Sequence, residues 1–123
     1  MRLINDFFTI RQQEAQDGKL SYIIELNADH LIYTGHFPGQ PVTPAVIQMQ
    51  VVQELLEYHL RKSLFFQRLP VSKFLHILNP QLVSHLHVHI AYQVEESGIK
   101  VKATGEQYSI IFFRLSAEFI FLD

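Results

Sequence analysis

The sequence contains no cysteine, and charged residues make up only 18% of its 123 residues. Without cysteine, the chain has no disulfide framework, no thiolate nucleophile and no cysteine-ligated zinc site. Ten lysines and arginines against twelve acidic residues give a formal charge of −2 with neutral histidines. No basic run suggests a phosphate-binding surface, so nucleic acid is not an expected partner. Because proteins usually contain about 25% charged residues, we expect another chain to cover part of the apolar surface.

Long apolar runs are also missing. No stretch approaches the ~18 apolar residues that a membrane-spanning helix needs, and residues 1–10 lack the apolar core and cleavage site of a signal peptide. We therefore expect a soluble, unprocessed, cytoplasmic protein that does not contact a membrane. The length is typical of one domain with one core, and we predict a single domain over residues 1–123.

Turn signals and periodicity divide the chain into strands and one helix. Asp17-Gly18 is a strong hairpin signal, and alternating apolar residues predict strands on both sides of it, over residues 8–11 and 20–26. Residues 45–62 contain no glycine or proline and have apolar residues at helical spacing, which predicts the one helix. Further strands are predicted over residues 74–78, 82–94, 99–108 and 109–122, with a loop near residues 67–70.

The start of the helix and the faces of the strands predict the architecture. Thr43 is expected to cap the helix, with Pro44 at its first position. The strands over residues 82–94 and 109–122 each have one apolar face, which is typical of an antiparallel sheet covered on one side. We therefore predict an α+β fold in which a curved antiparallel sheet wraps around one long central helix.

The segment before the helix has the composition of a site. Residues 35–44 include three prolines, two glycines and His36, so the loop is stiff and leads His36 towards the helix N-terminus. Free N–H groups there suit a developing oxyanion, and a histidine titrates near neutral pH, which together fit proton abstraction. The alternative is a rigid connection with a packed histidine, and spacing alone leaves both interpretations open.

Residues 36–46 read His-Phe-Pro-Gly-Gln-Pro-Val-Thr-Pro-Ala-Val. This segment closely resembles the His-Phe-Pro-Gly-x-Pro-x-x-Pro-Gly-Val signature of the hotdog-fold 3-hydroxyacyl-(acyl-carrier-protein) dehydratases. Background frequencies of about 5% for proline and 7% for glycine put Pro38, Gly39, Pro41 and Pro44 in register by chance on the order of once in 10⁵ starting points. The order of hairpin, loop, long helix and strands is also similar, so the resemblance covers most of the chain.

The resemblance implies a hotdog fold, a dimer with active sites at the subunit interface, and an acyl chain carried on the phosphopantetheine arm of acyl carrier protein. It implies that His36 acts on the α-proton of the thioester and that the backbone N–H of Ala45 binds the thioester carbonyl. Phe37, Gly39 and Val46 are expected to contact the substrate. No cofactor and no catalytic metal are expected.

The chain departs from the family pattern at the acid. The family places a carboxylate fourteen residues after the histidine, where this chain has Gln50. A carboxamide cannot give a proton to the leaving β-hydroxyl. Glu54, one helical turn further on, is a possible substitute acid, although a turn of about 5.4 Å is a large displacement. Ala45 replaces the motif glycine and adds a methyl group at the mouth of the site.

Three functions follow from this resemblance. The first is a dehydratase that forms the trans-2-enoyl thioester in fatty-acid or related acyl-chain biosynthesis, with activity impaired by Gln50. The second is an auxiliary subunit that pairs with a carboxylate-bearing hotdog chain. The third is a hotdog acyl-thioesterase. A homodimer, a heterodimer and a higher oligomer are all left open, as are acyl chain length and pathway.

Three histidines form a separate pattern. His85, His87 and His89 point the same way from one predicted strand, about 6.8 Å apart. Two such imidazoles with a third ligand can hold zinc. Alternation alone explains them equally as a solvated outer surface, and the sequence leaves the choice open.

Overall fold

The computed structural model describes residues 1–35 and 39–122. Along the chain lie the strands β1 (Phe8–Gln16) and β2 (Lys19–Leu26), a short 3-10 helix (Leu31–Gly35), the helix α1 (Ala45–Leu60), and the strands β3 (Leu64–Phe74), β4 (His85–Val94), β5 (Gly98–Gln107) and β6 (Ile110–Phe121). The six strands form one sheet in the order β1-β2-β4-β5-β6-β3. Each neighbouring pair is antiparallel, which confirms the predicted α+β architecture.

The core lies between α1 and the inner face of the sheet. Val52, Leu55 and Leu56 of α1 are at most 1% exposed, and so are Ile24 of β2 and Val88 of β4. Fully burying one such side chain contributes about 1.5–3 kcal/mol. Burial therefore holds the helix against the sheet. Within the described residues, α1 does not reach the length and apolarity that crossing a bilayer requires, and neither does the short 3-10 helix.

The first hairpin and the helix agree closely with the sequence pattern. Asp17 and Gly18 have φ values of 51° and 77°, as a two-residue hairpin turn requires. The helix ends two residues before the predicted boundary, because Arg61 adopts the left-handed conformation with φ 57°. The prediction for its start is wrong: Pro44 is the N-cap, and no side chain caps it. The Thr43 hydroxyl instead lies 2.7 Å from that of Tyr33.

The strand after the helix is β3, and its predicted position is wrong. The segment read as a loop, residues 67–70, lies inside β3, whereas residues 75–78 lie outside the strand. Pro70 is tolerated because β3 is at the edge of the sheet, where a missing N–H need not break a ladder. The pairing with β6 also shifts register between Arg68 and Val71. An irregular, mostly exposed edge strand lacks the alternation by which sequence reveals a strand.

The turn between β5 and β6 contains no glycine. Gln107 pairs with Ile110, so the connection is the two residues Tyr108 and Ser109, with φ values of 53° and 63°. Most residues avoid this region, and Asn-Gly is the usual solution for such a turn. The predicted boundary between residues 108 and 109 therefore lies inside a strained two-residue hairpin turn.

Replacing this turn by Tyr108→Asn with Ser109→Gly should raise the free energy of unfolding by about 1–2 kcal/mol, because both new residues tolerate positive φ. Urea unfolding measures the change. Gly18→Ala serves as the opposite control: its added Cβ meets the Tyr92 carbonyl oxygen at 3.0 Å with φ +77°, and it should destabilise the chain. An unchanged midpoint in the double variant would contradict the assignment of strain.

Candidate functional site

A cavity of about 450 Å³ lies between α1 and the inner face of the sheet. Its apolar wall includes Met49 and Val52 of α1, Phe66 of β3 and Phe119 of β6, and Gln50 and Glu54 supply polar groups. Small-molecule sites are typically concave, mostly apolar, and furnished with a few placed polar groups. The cavity therefore has the character of a site for an apolar ligand with a polar end.

Glu54 is buried at the centre of these polar groups, with 2% of its surface exposed. Its carboxylate accepts the backbone N–H of Leu3, with distances of 3.0 and 2.8 Å to the two oxygens, and that of Ile4 at 2.8 Å. The carboxamide of Gln50 also donates to it at 2.8 Å. A buried charge needs such partners to offset the loss of water. Glu54 thus anchors the N-terminal segment beside the cavity.

Gln50 links the same segment to the helix. Its Nε2 donates to the backbone carbonyl of Met1 as well as to Glu54. The side chain lies on the cavity wall at the position of the family acid. It can position neighbouring groups, but a carboxamide has no proton to transfer at neutral pH.

Glu57 is the remaining acidic residue on this wall. One oxygen lies 3.3 Å from Arg2 Nη1, and the other accepts the Leu64 backbone N–H at 2.9 Å. Glu57 therefore ties the N-terminal segment and the start of β3 to α1. The described carboxylates along the cavity, Glu54 and Glu57, are each held by hydrogen bonds to protein groups.

The predicted residues of the loop and helix start are placed as follows. His36 and Phe37 lie outside the described residues. Gly39 is exposed with φ 86°. Ala45 and Val46 are the first two residues of α1, and Val46, 65% exposed, lines the cavity. The N–H groups at a helix start have no intrahelical acceptor, and Pro44 gives them no side-chain cap.

Sequence reasoning missed a buried network that fixes this helix start. The hydroxyls of Tyr33 and Thr43 are 2.7 Å apart, and burial raises the pKa of Tyr33 to about 12, so its phenol stays protonated. Gln48 donates to the Thr43 carbonyl at 3.0 Å, while its own Oε1 is buried without a partner among the described residues. Both contacts are made to Thr43, so the network fixes the end of the motif loop that leads into α1. A buried glutamine in the first turn of the helix is the one signal that could have indicated this.

The three histidines of β4 are on the other face of the sheet. His85, His87 and His89 are partly exposed, and the residues between them, Leu86 and Val88, are buried. Their predicted common orientation is confirmed. They do not line the cavity beneath α1.

Substituting Glu54→Gln should lower the free energy of unfolding by about 2 kcal/mol. The new NH2 group would face the N–H donors of Leu3, Ile4 and Gln50, which leaves buried donors without acceptors. Chemical denaturation measures the loss. Glu96→Gln, at an exposed turn, is the matched control and should change stability by less than about 0.5 kcal/mol. Equal stability of both variants would refute the anchoring role.

Comparison with solved structures identifies the fold. The chain matches the structure titled "The Dehydratase Heterocomplex ApeI:P from Xenorhabdus doucetiae" with a TM-score of 0.74 and 18% sequence identity, over 91% of this chain and 96% of that one. It also matches a sigma28-regulated virulence protein from Campylobacter jejuni with a TM-score of 0.67 and 12% identity, over 100% of this chain and 88% of that one. These similarities confirm the predicted hotdog fold.

Comparison of sequences identifies the family. The 3-hydroxyacyl-(acyl-carrier-protein) dehydratase FabZ of Rickettsia canadensis (strain McKiel) is 33% identical over 85 residues, which cover 60% of this chain and 59% of that protein. The FabZ of Rickettsia bellii (strain OSU 85-389) is 32% identical over the same shares. The chain thus spans about three fifths of the length of these curated relatives. A family model described as ApeI-like, ApeI dehydratase, matches residues 11–110, and the chain therefore belongs to the ApeI-like dehydratase family.

Proposed function

We propose that the protein dehydrates a 3-hydroxyacyl thioester carried on acyl carrier protein to the trans-2-enoyl thioester, in the cytoplasm and in fatty-acid or related acyl-chain biosynthesis. The observation that carries the proposal is the apolar cavity of about 450 Å³ beneath α1, with the position of the family acid in its wall. The FabZ relatives are named for this reaction. A cavity of this size is within the usual range of small-ligand sites.

The proposed reaction is an elimination that needs a base for the α-proton and a proton donor for the leaving hydroxyl. His36 takes the α-proton, and the N–H of Ala45 at the helix start stabilises the charge that develops on the thioester oxygen. The C–O bond to the β-hydroxyl then breaks, the C=C bond forms, and the hydroxyl leaves as water once it has received a proton. In this scheme Phe37, Gly39 and Val46 contact the acyl thioester at the mouth of the cavity.

The leaving hydroxyl needs a proton, and the groups nearest the predicted acid position are Gln50 and Glu54. Gln50 donates hydrogen bonds to Met1 and Glu54 and has no proton to give. Glu54 accepts three N–H donors and is 2% exposed. General acid catalysis typically contributes 10²–10⁴-fold. We therefore expect the chain alone to turn over slowly.

Because of these contacts we also propose that a second hotdog chain supplies the acid. A site shared between two chains would combine His36 of this chain with a carboxylate of its partner. The structural neighbour from Xenorhabdus doucetiae is titled a dehydratase heterocomplex, which supports this arrangement. The proposal rests on the observation that Glu54 and Glu57 are both engaged in hydrogen bonds within this chain.

The proposed interface is the free edge of β3. This strand has 11 residues, lies at one end of the sheet and is mostly exposed. Phe65 is 56% exposed and Val71 40%. An edge strand offers unpaired backbone groups for strand addition, and β3 adds these two exposed apolar side chains. Pairing with β3 of a second hotdog chain would cover it.

Gln50→Glu tests the missing acid. The new carboxyl would lie beside Glu54, and a neighbouring carboxylate disfavours the charged form of the added group, so the added carboxyl holds a proton more readily than an isolated one. We expect the rate of enoyl-thioester formation by the chain alone to rise about 10²-fold. The ultraviolet absorbance of the enoyl thioester measures this rate. His36→Ala in the same background should abolish the gain.

Gln53→Glu is the matched control for this experiment. Gln53 lies on the same helix and lines the same cavity, but its Nε2 bonds to the Leu64 carbonyl. Gln53→Glu adds the same charge to the cavity wall but not at position 50, so we expect no increase in the rate of enoyl-thioester formation. Activity that His36→Ala leaves unchanged would contradict the proposed reaction. A Gln50→Glu gain no larger than that of Gln53→Glu would contradict the role of position 50.

Phe65→Asp tests the interface. A charge on the edge strand should weaken strand addition, so the variant should sediment as a smaller species than the wild type and should retain less of a co-purifying hotdog chain. Leu82→Asp, at a residue 75% exposed in a loop, is the matched control and should leave assembly unchanged. A wild-type monomer in its native extract would contradict the proposed β3 interface, and a pure homodimer would contradict the proposal that a different hotdog chain supplies the acid.

A further inference from the structure

The outer face of the sheet contains an unusually close pair of histidines. Side chains two residues apart on a strand are usually about 6.8 Å apart, yet the ring centroids of His87 and His89 are 4.0 Å apart, with planes inclined at 36°. Both residues are on β4, facing away from α1. The two rings therefore lie against each other on the outer face of the strand.

A carboxylate from the next strand joins them. The register pairs His87 with Glu106 and His89 with Thr104, and the Glu106 side chain reaches diagonally to place Oε1 3.0 Å from Nε2 of His89. One ligand atom from each of His87, His89 and Glu106 lies within 4.8 Å of the other two. Within residues 1–35 and 39–122, no other group of three histidine, cysteine or acidic side chains meets this condition.

This donor set has a clear preference among metals. Two imidazole nitrogens and one carboxylate oxygen suit Zn²⁺ and its transition-metal neighbours, whereas Mg²⁺ and Ca²⁺ prefer oxygen ligands alone. Tetrahedral zinc with bonds of about 2.0–2.2 Å spaces its ligand atoms roughly 3.3 Å apart. The His89–Glu106 pair is already close to that spacing. The metal would take the place of the hydrogen bond between these two atoms.

The surroundings favour binding. The Ser21 hydroxyl on β2 lies 2.7 Å from Nε2 of His87 and fixes the orientation of that ring, which leaves Nδ1 as its metal-binding nitrogen. Side-chain exposures of 43% for His89 and 39% for Glu106 leave a path for the ion.

We propose that His87, His89 and Glu106 bind one divalent transition-metal ion, with Zn²⁺ as the expected occupant and water in the fourth position. The ion would lie on the outer face of the sheet, joining β4 to β5, on the other side from the acyl cavity. The site is independent of the proposed dehydration. Its expected effect is to stabilise the fold by mass action when the metal is present.

The test is calorimetric titration of the untagged, chelator-treated full chain with Zn²⁺. We expect one ion per chain, with a dissociation constant below about 10 µM. His87→Gln, His89→Gln and Glu106→Gln should each weaken binding at least about tenfold. His85→Gln is the matched control: His85 is on the same face of the same strand, and binding should be unchanged. Glu106→Gln is nearly isosteric and decides the result if a histidine variant fails to fold.

Co²⁺ provides a second measurement on the same proteins. Its visible absorption reports tetrahedral ligation, and the band should appear in the wild type and His85→Gln but not in Glu106→Gln. Failure to bind Zn²⁺ at about 100 µM would overturn the proposal. An equal loss of Zn²⁺ affinity in His85→Gln and His87→Gln would also overturn it. The same holds if Glu106→Gln binds Zn²⁺ as tightly as the wild type.

Discussion

Because α1 covers one face of a six-stranded sheet, the alternation of each strand decides where every side chain lies. In β4 the buried residues Leu86 and Val88 face the helix, and the histidines between them face outward. The same alternation keeps Leu115 and Ala117 of β6 on the inner side, where they line the cavity. A strand shifted by one residue would exchange the two faces. The apolar cavity and the histidine cluster therefore depend on one register.

The polar residues Gln50 and Glu54 of α1 hold the N-terminal segment beside the cavity. Gln50 and Glu54 both line the cavity, and the carboxylate lies one turn beyond position 50, where the motif resemblance predicts an acid. There it accepts the N–H groups of Leu3 and Ile4, and Leu3 itself is fully buried. A buried charge held by three donors is stable because each donor replaces a lost water contact. The same contacts make Glu54 a structural anchor of the N-terminal segment.

Most of the fold could be predicted because its signals are local. Asp17-Gly18 tolerates the positive φ of a hairpin, and the apolar period of residues 45–60 fits one helix. The position of β3 was not predicted correctly because an edge strand that contains Pro70 and register shifts has no alternating pattern. The Thr43 cap failed because the Tyr33 hydroxyl competes for the same side chain. In each failure a tertiary contact or an edge position overrode a local preference.

The sequence by itself determined the hotdog architecture, the motif at residues 36–46 and the common face of His85, His87 and His89, because strand period and loop composition are encoded in neighbouring residues. Only the tertiary structure decided which groups meet. It brought Glu106 from 17 residues away to His89, and the backbone of Leu3 from 51 residues away to Glu54. Strand register and chain path set such meetings, and they depend on packing throughout the domain rather than on any short segment. For that reason a row of histidines with no acidic neighbour in sequence became a cluster with a carboxylate.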